Sequence, residues 1–394
     1  MTELASLTTA DAVDSVFSDV LSGALRGLQR AWPASAGEDD IARFLAMTLR
    51  HGVQPLLHHA LQESGSLVSW PDAVRAALTT ESRRQTVTAA MAQLELRRVL
   101  DVLADRGIFP LLMKGAPLSY THYPRPGLRP CSDTDVLVRA SDVDATGRML
   151  VGLGYRRLNT IGGDLVSAQT VYRARDRHGV EHDLDVHWKI SNPRLFSDNL
   201  SYDELAEGAR GVAALGEHAR GLGDVHALLL ACIHRVAHHH TERLIWLCDI
   251  HRLASGMDRR ALEEFADLAA DKQMTAVCLD GLVRANDWFA TPLPEGWPRT
   301  RSAMDGRREP AERFLAPGLR RIDILLSDLG TLSARGRLSL LRQHVFPPSD
   351  YILRRYGVSN RWWLPALYLH RGVSGVWRWF ARLNPPAPFP RGRS

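Results

Sequence analysis

The chain reads as an α+β protein, a small mixed-sheet α/β core flanked by helical regions on both sides. Three observations predict this. Apolar residues recur at three- and four-residue spacing before about residue 107 and again after about residue 223, short apolar or alternating runs punctuated by Gly and Pro fill the interval, and 394 residues exceed one typical core. The divisions expected are a helical region over 1–106, an α/β core over 107–216, a helical domain over 217–290 and an Arg- and Trp-rich helical region over 291–394.

Each element follows from local pattern. Val16, Leu21, Leu25 and Leu28, then Ile41, Leu45, Leu49, Leu56 and Leu57, and then the stretch from Val87 to Leu103 carry helical periodicity, about four helices in all. Ile108 to Met113 is a short apolar run after Gly107 and fits a buried strand. A short helix from Ala116 to His122 follows, and the Pro- and Gly-rich piece Tyr123 to Pro130 breaks it into a loop. Asp133 to Val138 is a second strand, and Ser141-Asp142 caps a helix to about Leu153. Thr170 to Arg175 and Val180 to Ile190 are further strands around a turn at Gly179. Asp224 is expected to cap a helix through Leu228, Cys232 and Val236, followed by a helix over Thr241 to Leu253, two more to about Phe289, and a Pro-bearing linker over Thr291 to Thr300.

Composition narrows the class. The chain is 45% hydrophobic and 24% charged, with no low-complexity tract. Its formal charge of +5 conceals an asymmetry, because residues 301–394 hold seventeen Arg against six acidic residues. A basic tail beside an acidic body suits phosphates, nucleic acid or an anionic membrane surface, or forms a solvated helical face. Only Lys114, Lys189 and Lys272 are lysines among abundant Arg, so a retained lysine carries more weight than an Arg. The four cysteines form no CxxC pair, the amino terminus has no basic-then-apolar leader, and no run reaches the ~18 apolar residues of a membrane span. A reduced cytoplasmic protein without a transmembrane segment is expected; no pattern sets its oligomeric state.

The chemistry concentrates in the carboxylates. On a strand Asp133 and Asp135 share one face, and two carboxylates so placed repel unless a cation lies between them. Mg²⁺, which takes oxygen ligands and keeps room for substrate phosphates, suits such a pair. In the strand from Val180, the residues Glu181, Asp183, Asp185 and His187 form one face against a mostly apolar other face. A third carboxylate from this strand, Asp185 or Asp183, would complete a cluster suited to nucleotidyl transfer, where two Mg²⁺ ions flank an in-line displacement. Lys114-Gly115 at the end of the first strand suits the phosphates of a nucleoside triphosphate: glycine permits close backbone approach and Lys114 adds charge. Arg129 adds a planar fork for a phosphate. Taken singly, a DxD, a Lys-Gly or an acidic strand is as well explained by capping, a turn or a guarded sheet edge; their order along the chain is what points to a site.

These residues resemble the polymerase-beta-type nucleotidyltransferase superfamily, and more closely a poorly characterised bacterial nucleotidyltransferase family. The segments that match are LMKGAPL (112–118), RPCSDTDVLV (129–138), DVHW (185–188), HRVAHHHTERLIWLCDIHRL (234–253) and FPPSDYILRRYG (346–357). The resemblance spans about 100 to 380 and implies a nucleotidyltransferase core. It implies that Asp133, Asp135 and Asp185 hold metal and that Gly115 belongs to the phosphate loop. Ala116 stands where the wider superfamily commonly has a phosphate-binding Ser, which leaves Lys114 to compensate. The implied activity moves an NMP from an NTP to an acceptor hydroxyl of a small molecule, peptide or RNA and releases pyrophosphate.

Two other constellations invite different chemistry. His234 and His238 lie one helical turn apart and, with Asp249, form a candidate metal set or a face touching base or phosphate. Arg235 with His240 fits the R-x4-H spacing of HEPN-type ribonucleases, so a ribonuclease or toxin-type module is one alternative and a non-catalytic nucleotide-binding protein another. Trp362, Trp363, Trp377 and Trp379 beside Arg suit base stacking, a membrane surface or the core of a small helical cap.

Overall fold

A computed structural model describes residues 17–158, 165–238, 242–297, 309–316 and 318–380, with the side chains of 376–378 outside that description. Ahead of the sheet lie a helical stretch over 17–25 and helices α1 (Glu38–Arg50), α2 (Gln54–Glu63) and α3 (Asp72–Ala104). The periodicity expected over Val87 to Leu103 belongs to the second half of the 33-residue α3. That length lets one helix serve two cores. Val74 and Leu78 join the cluster that runs through the helical parts, while Leu96, Val99, Leu100 and Leu103 pack beneath the sheet. Gly107, at φ +72°, then reverses the chain into the first strand.

The sheet is mixed, as expected. It is built from β1 (Leu111–Met113), β2 (Thr134–Leu137), β3 (Arg156–Arg157), β4 (Gln169–Arg175), β5 (Glu181–His187), β6 (Arg210–Gly211) and β7 (Arg220–Gly221), in the order β3-β4-β5-β2-β1-β7-β6. Central β2 runs antiparallel to β1 and parallel to β5. Its Val136 packs into the core beneath the sheet and Leu137 into the larger cluster, so both faces are covered near its end. Helices α4 (Gly115–Thr121) and α5 (Val143–Gly152) follow β1 and β2, and the short α6 (Arg194–Ser197) and α7 (Tyr202–Glu207) follow β5.

Four helices then pack as a group, α8 (Asp224–Ala237), α9 (Leu244–Gly256), α10 (Arg259–Asp271) and α11 (Thr275–Phe289). Leu228, Ile233, Leu247, Ile250, Val277 and Leu282 fill their centre. Asp224 is the first helical residue and Gly223 the cap, which leaves the Asp224 carboxylate to accept from Arg210 at 3.0 Å. The expected linker is docked where it is described: the Trp297 ring lies 5.6 Å from that of Phe265. The last described part holds α12 (Arg321–Gly330), α13 (Ala334–Val345), α14 (Ser349–Tyr356) and α15 (Leu364–Phe380). Trp362 and Trp363 stand exposed and so are not core residues of a cap, Trp379 packs edge-on to His344, and the Trp377 side chain lies outside the described set. No helix among the described residues is long and apolar enough to cross a membrane.

Candidate active site

The parallel register of β2 and β5 sets Asp135 opposite Asp185 and Leu137 opposite His187. Leu184 and Val186 turn into the core, so Asp185 and His187 face the other way. One oxygen of each carboxylate and one His187 nitrogen lie within 4.8 Å of one another, a buried group able to hold a metal ion. Asp133 precedes β2 instead of lying in it; part of its surface is open at the mouth of the same cleft, while the cleft wall crowds its carboxyl.

Neighbouring strands separate the two candidates for the third carboxylate. Across the antiparallel β4–β5 pair Arg173 faces Asp183, and its Nε and Nη2 each donate to that carboxylate at 2.6 Å. Glu181 is likewise engaged by Arg175 at 2.9 Å. The outer half of the acidic strand is therefore neutralised by β4. Among the described residues no Arg or Lys bonds Asp185; it accepts a hydrogen bond from Gln169 Nε2 at 2.8 Å.

Charges in the cluster are unequal. Burial pushes the Asp185 carboxyl up to about 7, reinforced by the negative charges of Asp135 and Asp133. Burial and Asp135 also raise Asp133. Burial opposes ionisation of Asp135 as well, but the Lys114 ammonium and the His187 hydrogen bond outweigh it and hold that carboxyl well below the usual range. Lys114 Nζ lies 2.5 Å and His187 Nε2 2.8 Å from the same Oδ1 of Asp135. His187 is pushed down chiefly by burial and then by Lys114, and its Nδ1 is buried with no partner among the described residues. Fully buried behind Asp135, it fits a group that orients that carboxylate.

Lys114 owes its placement to a backbone most side chains avoid. At φ +57°, ψ −131° it turns the chain from β1 into α4. The next residue must be glycine for a reason set far along the chain. A Cβ on Gly115 would come within 2.4 Å of Arg129 Nη1. Arg129 does not present a free fork as expected, because its Nη2 and Nε donate to Asp249 at 2.6 and 3.2 Å, and Tyr123 Oη donates to the same carboxylate at 2.7 Å. Gly115→Ala is accordingly expected to displace Arg129 and cost about 1–3 kcal/mol. Thermal denaturation beside ATP binding checks it; an unchanged melting temperature would remove the packing reason for this glycine.

The cleft over the carboxylates measures about 590 Å³ and includes Lys114, Gly115, Arg129, Asp133, Asp135 and Asp185 in its lining. Its far wall comes from α3, through Glu81, Arg84, Gln85 and Thr88, and from Arg243 and Trp246 near the start of α9. Arg243 and Trp246 fall within the matching segment 234–253, whereas the α3 residues carry no local signal in the sequence.

The other constellations resolve differently. The His234 and His238 rings lie with centroids 4.2 Å apart, tilted by 54°, and both adjoin Trp246, while Asp249 is occupied by Arg129 and Tyr123, so the three do not converge as a metal set. Both histidines line the cleft. Arg235 is buried and paired with Glu242 and Asp280, a structural network that leaves it no contact with an RNA phosphate. His240 lies outside the described residues.

The model of a family described as uncharacterised nucleotidyltransferase matches residues 37–290. The chain belongs to this nucleotidyltransferase family. The match takes in the carboxylates, the Lys114 turn, the α3 wall and helices α8 to α11, so the nucleotidyltransferase unit extends beyond the sheet on both sides. No curated protein matches the chain.

Proposed function

We propose that this nucleotidyltransferase is a Mg²⁺-dependent enzyme that moves an NMP from an NTP to an acceptor hydroxyl, with release of pyrophosphate. The acceptor class is a small molecule, peptide or RNA bearing that hydroxyl. The observation that carries this reading is the β2–β5 register, which pairs Asp185 with Asp135 while Arg173 occupies Asp183.

The donor set fits a hard divalent cation. Two facing carboxylates and a third at the cleft mouth carry more negative charge than Lys114 balances, and burial raises both Asp185 and Asp133. Asp135, Asp185 and Asp133 would hold it, with one or two ions taken up. When bound, the ion supplies charge neutralisation for phosphate oxygens and lowers the pKa of the attacking hydroxyl. His187 and Gln169 hold Asp135 and Asp185 in orientation. Lys114, beside Gly115, offsets the charge of the triphosphate. The acceptor oxygen attacks the α-phosphorus, its proton passes to Asp185 or solvent, and the bond to pyrophosphate breaks with the electron pair leaving on pyrophosphate.

The decisive assay offers each of the four NTPs with Mg²⁺ and reads pyrophosphate release and label transfer. Asp133→Ala should abolish both in a folded protein. Full activity in Asp133→Ala and Asp185→Ala would sink the assignment, and NTP binding without turnover would favour a nucleotide sensor. Cation uptake should also depend on pH. Without a cation Asp185 keeps its proton up to about pH 7. Binding below that value must displace the proton, so Mn²⁺ affinity should rise about tenfold per pH unit and level off above it. Calorimetric titration reads the slope; a flat profile would show that Asp185 is not a ligand.

A further inference from the structure

We propose that the C-terminal helical region is a docking surface for an anionic lipid bilayer. Two neighbouring helices carry exposed apolar stripes at helical spacing. On α13 the stripe is Leu338, Leu341 and Val345; on α15 it is Leu369, Val373 and Phe380, with Trp362 and Trp363 just before the helix. Leu369 is 70% exposed, Val373 71% and Trp362 91%. The helices meet where Phe346 and Tyr368 lie 5.6 Å apart and where Arg371 Nη1 donates to the His344 carbonyl at 2.7 Å. This surface lies beyond the residues that the family model matches.

Charge selects the occupant. From residue 334 to the end the chain holds eleven Arg and one acidic residue, Asp350. Arg335, Arg342, Arg355 and Arg361 are exposed near the stripes. Apolar stripes of this kind are costly in water unless something covers them. A second copy of the chain would bring one Arg-rich surface against another. Single-stranded nucleic acid would draw on Trp362, Trp363 and Phe380 as stacking platforms but would leave the aliphatic Leu338, Leu341, Val345, Leu369 and Val373 uncovered. Aliphatic side chains, tryptophan and arginine together match the interface of an anionic bilayer, where apolar groups enter the acyl boundary and guanidinium groups stay with the headgroups. The docking is peripheral, since no described helix spans a membrane.

Full-length protein is mixed with vesicles of phosphatidylcholine alone or of equimolar phosphatidylcholine and phosphatidylglycerol, and binding is read by co-sedimentation. The protein should pellet with the anionic vesicles, and concentrated salt should release it. Leu369→Asp with Val373→Asp should weaken partitioning by at least about tenfold, and Arg335→Glu with Arg342→Glu should do likewise. Pyrophosphate release and melting temperature should stay unchanged, because these side chains stand in solvent. Equal binding to both vesicle types, or anionic binding insensitive to both variants, overturns the proposal. So does RNA binding or self-association that requires Leu369 and Val373 in a protein that does not bind vesicles.

Discussion

Asp185→Asn is expected to abolish pyrophosphate release while raising the melting temperature of the cation-free protein above pH 7. The two effects share one cause. In the folded chain burial, Asp135 and Asp133 lift the Asp185 carboxyl from 3.8 to about 7. The folded state therefore holds a proton that the unfolded state has lost, so stability falls as pH rises through that window and stays low above it. Asparagine removes the charge and keeps an oxygen for the Gln169 hydrogen bond. At about 1.4 kcal/mol per pKa unit the gain is on the order of 2–4 kcal/mol. Activity should fall on the order of 10²–10³-fold or more, the scale seen when charge stabilisation is removed from a transition state. Thermal melts with and without Mg²⁺, beside pyrophosphate release, test both halves. An active variant, or one destabilised without Mg²⁺, would take Asp185 out of the cation site.

That trade of stability for function was only half legible in the sequence. Alternation along Glu181 to His187 separated the core face of β5 from its polar face, and the spacing of Lys114, Asp133 and Asp185 marked the cleft. The choice between Asp183 and Asp185 needed the register of β5 against both β4 and β2, a tertiary quantity. Arg173 and Arg175 alternate on β4 and would have hinted at it, since two bases two residues apart can neutralise an acidic neighbour. His187 lay on the correct face, but its bond to Asp135 becomes visible only once β2 and β5 are side by side. The pairing of Arg129 was hidden for the same reason: its partner Asp249 is 120 residues away. Element boundaries moved by one residue at Asp133, which precedes the strand β2, and at Asp224, which begins α8 and pairs with Arg210 instead of capping it.

Asp249→Ala should be the most destabilising single change at this site. Asp249 is buried on α9 and binds Arg129 and Tyr123 from the loop that leads to Asp133. Its loss strands a buried guanidinium, at a cost of about 3–5 kcal/mol. Arg129→Met with Asp249→Leu removes both charges and should recover most of that stability, because a well-packed apolar pair replaces an ion pair at little net cost. The double variant also separates two roles for Arg129. The guanidinium presses on Gly115 and latches α9 to the loop, yet it also lines the cleft where the triphosphate is proposed to bind. If stability and ATP affinity both return in the double variant, Arg129 acts as a latch alone. If stability returns while affinity stays at least tenfold weaker, Arg129 also contacts phosphate, and Asp249 holds its fork in place for that contact.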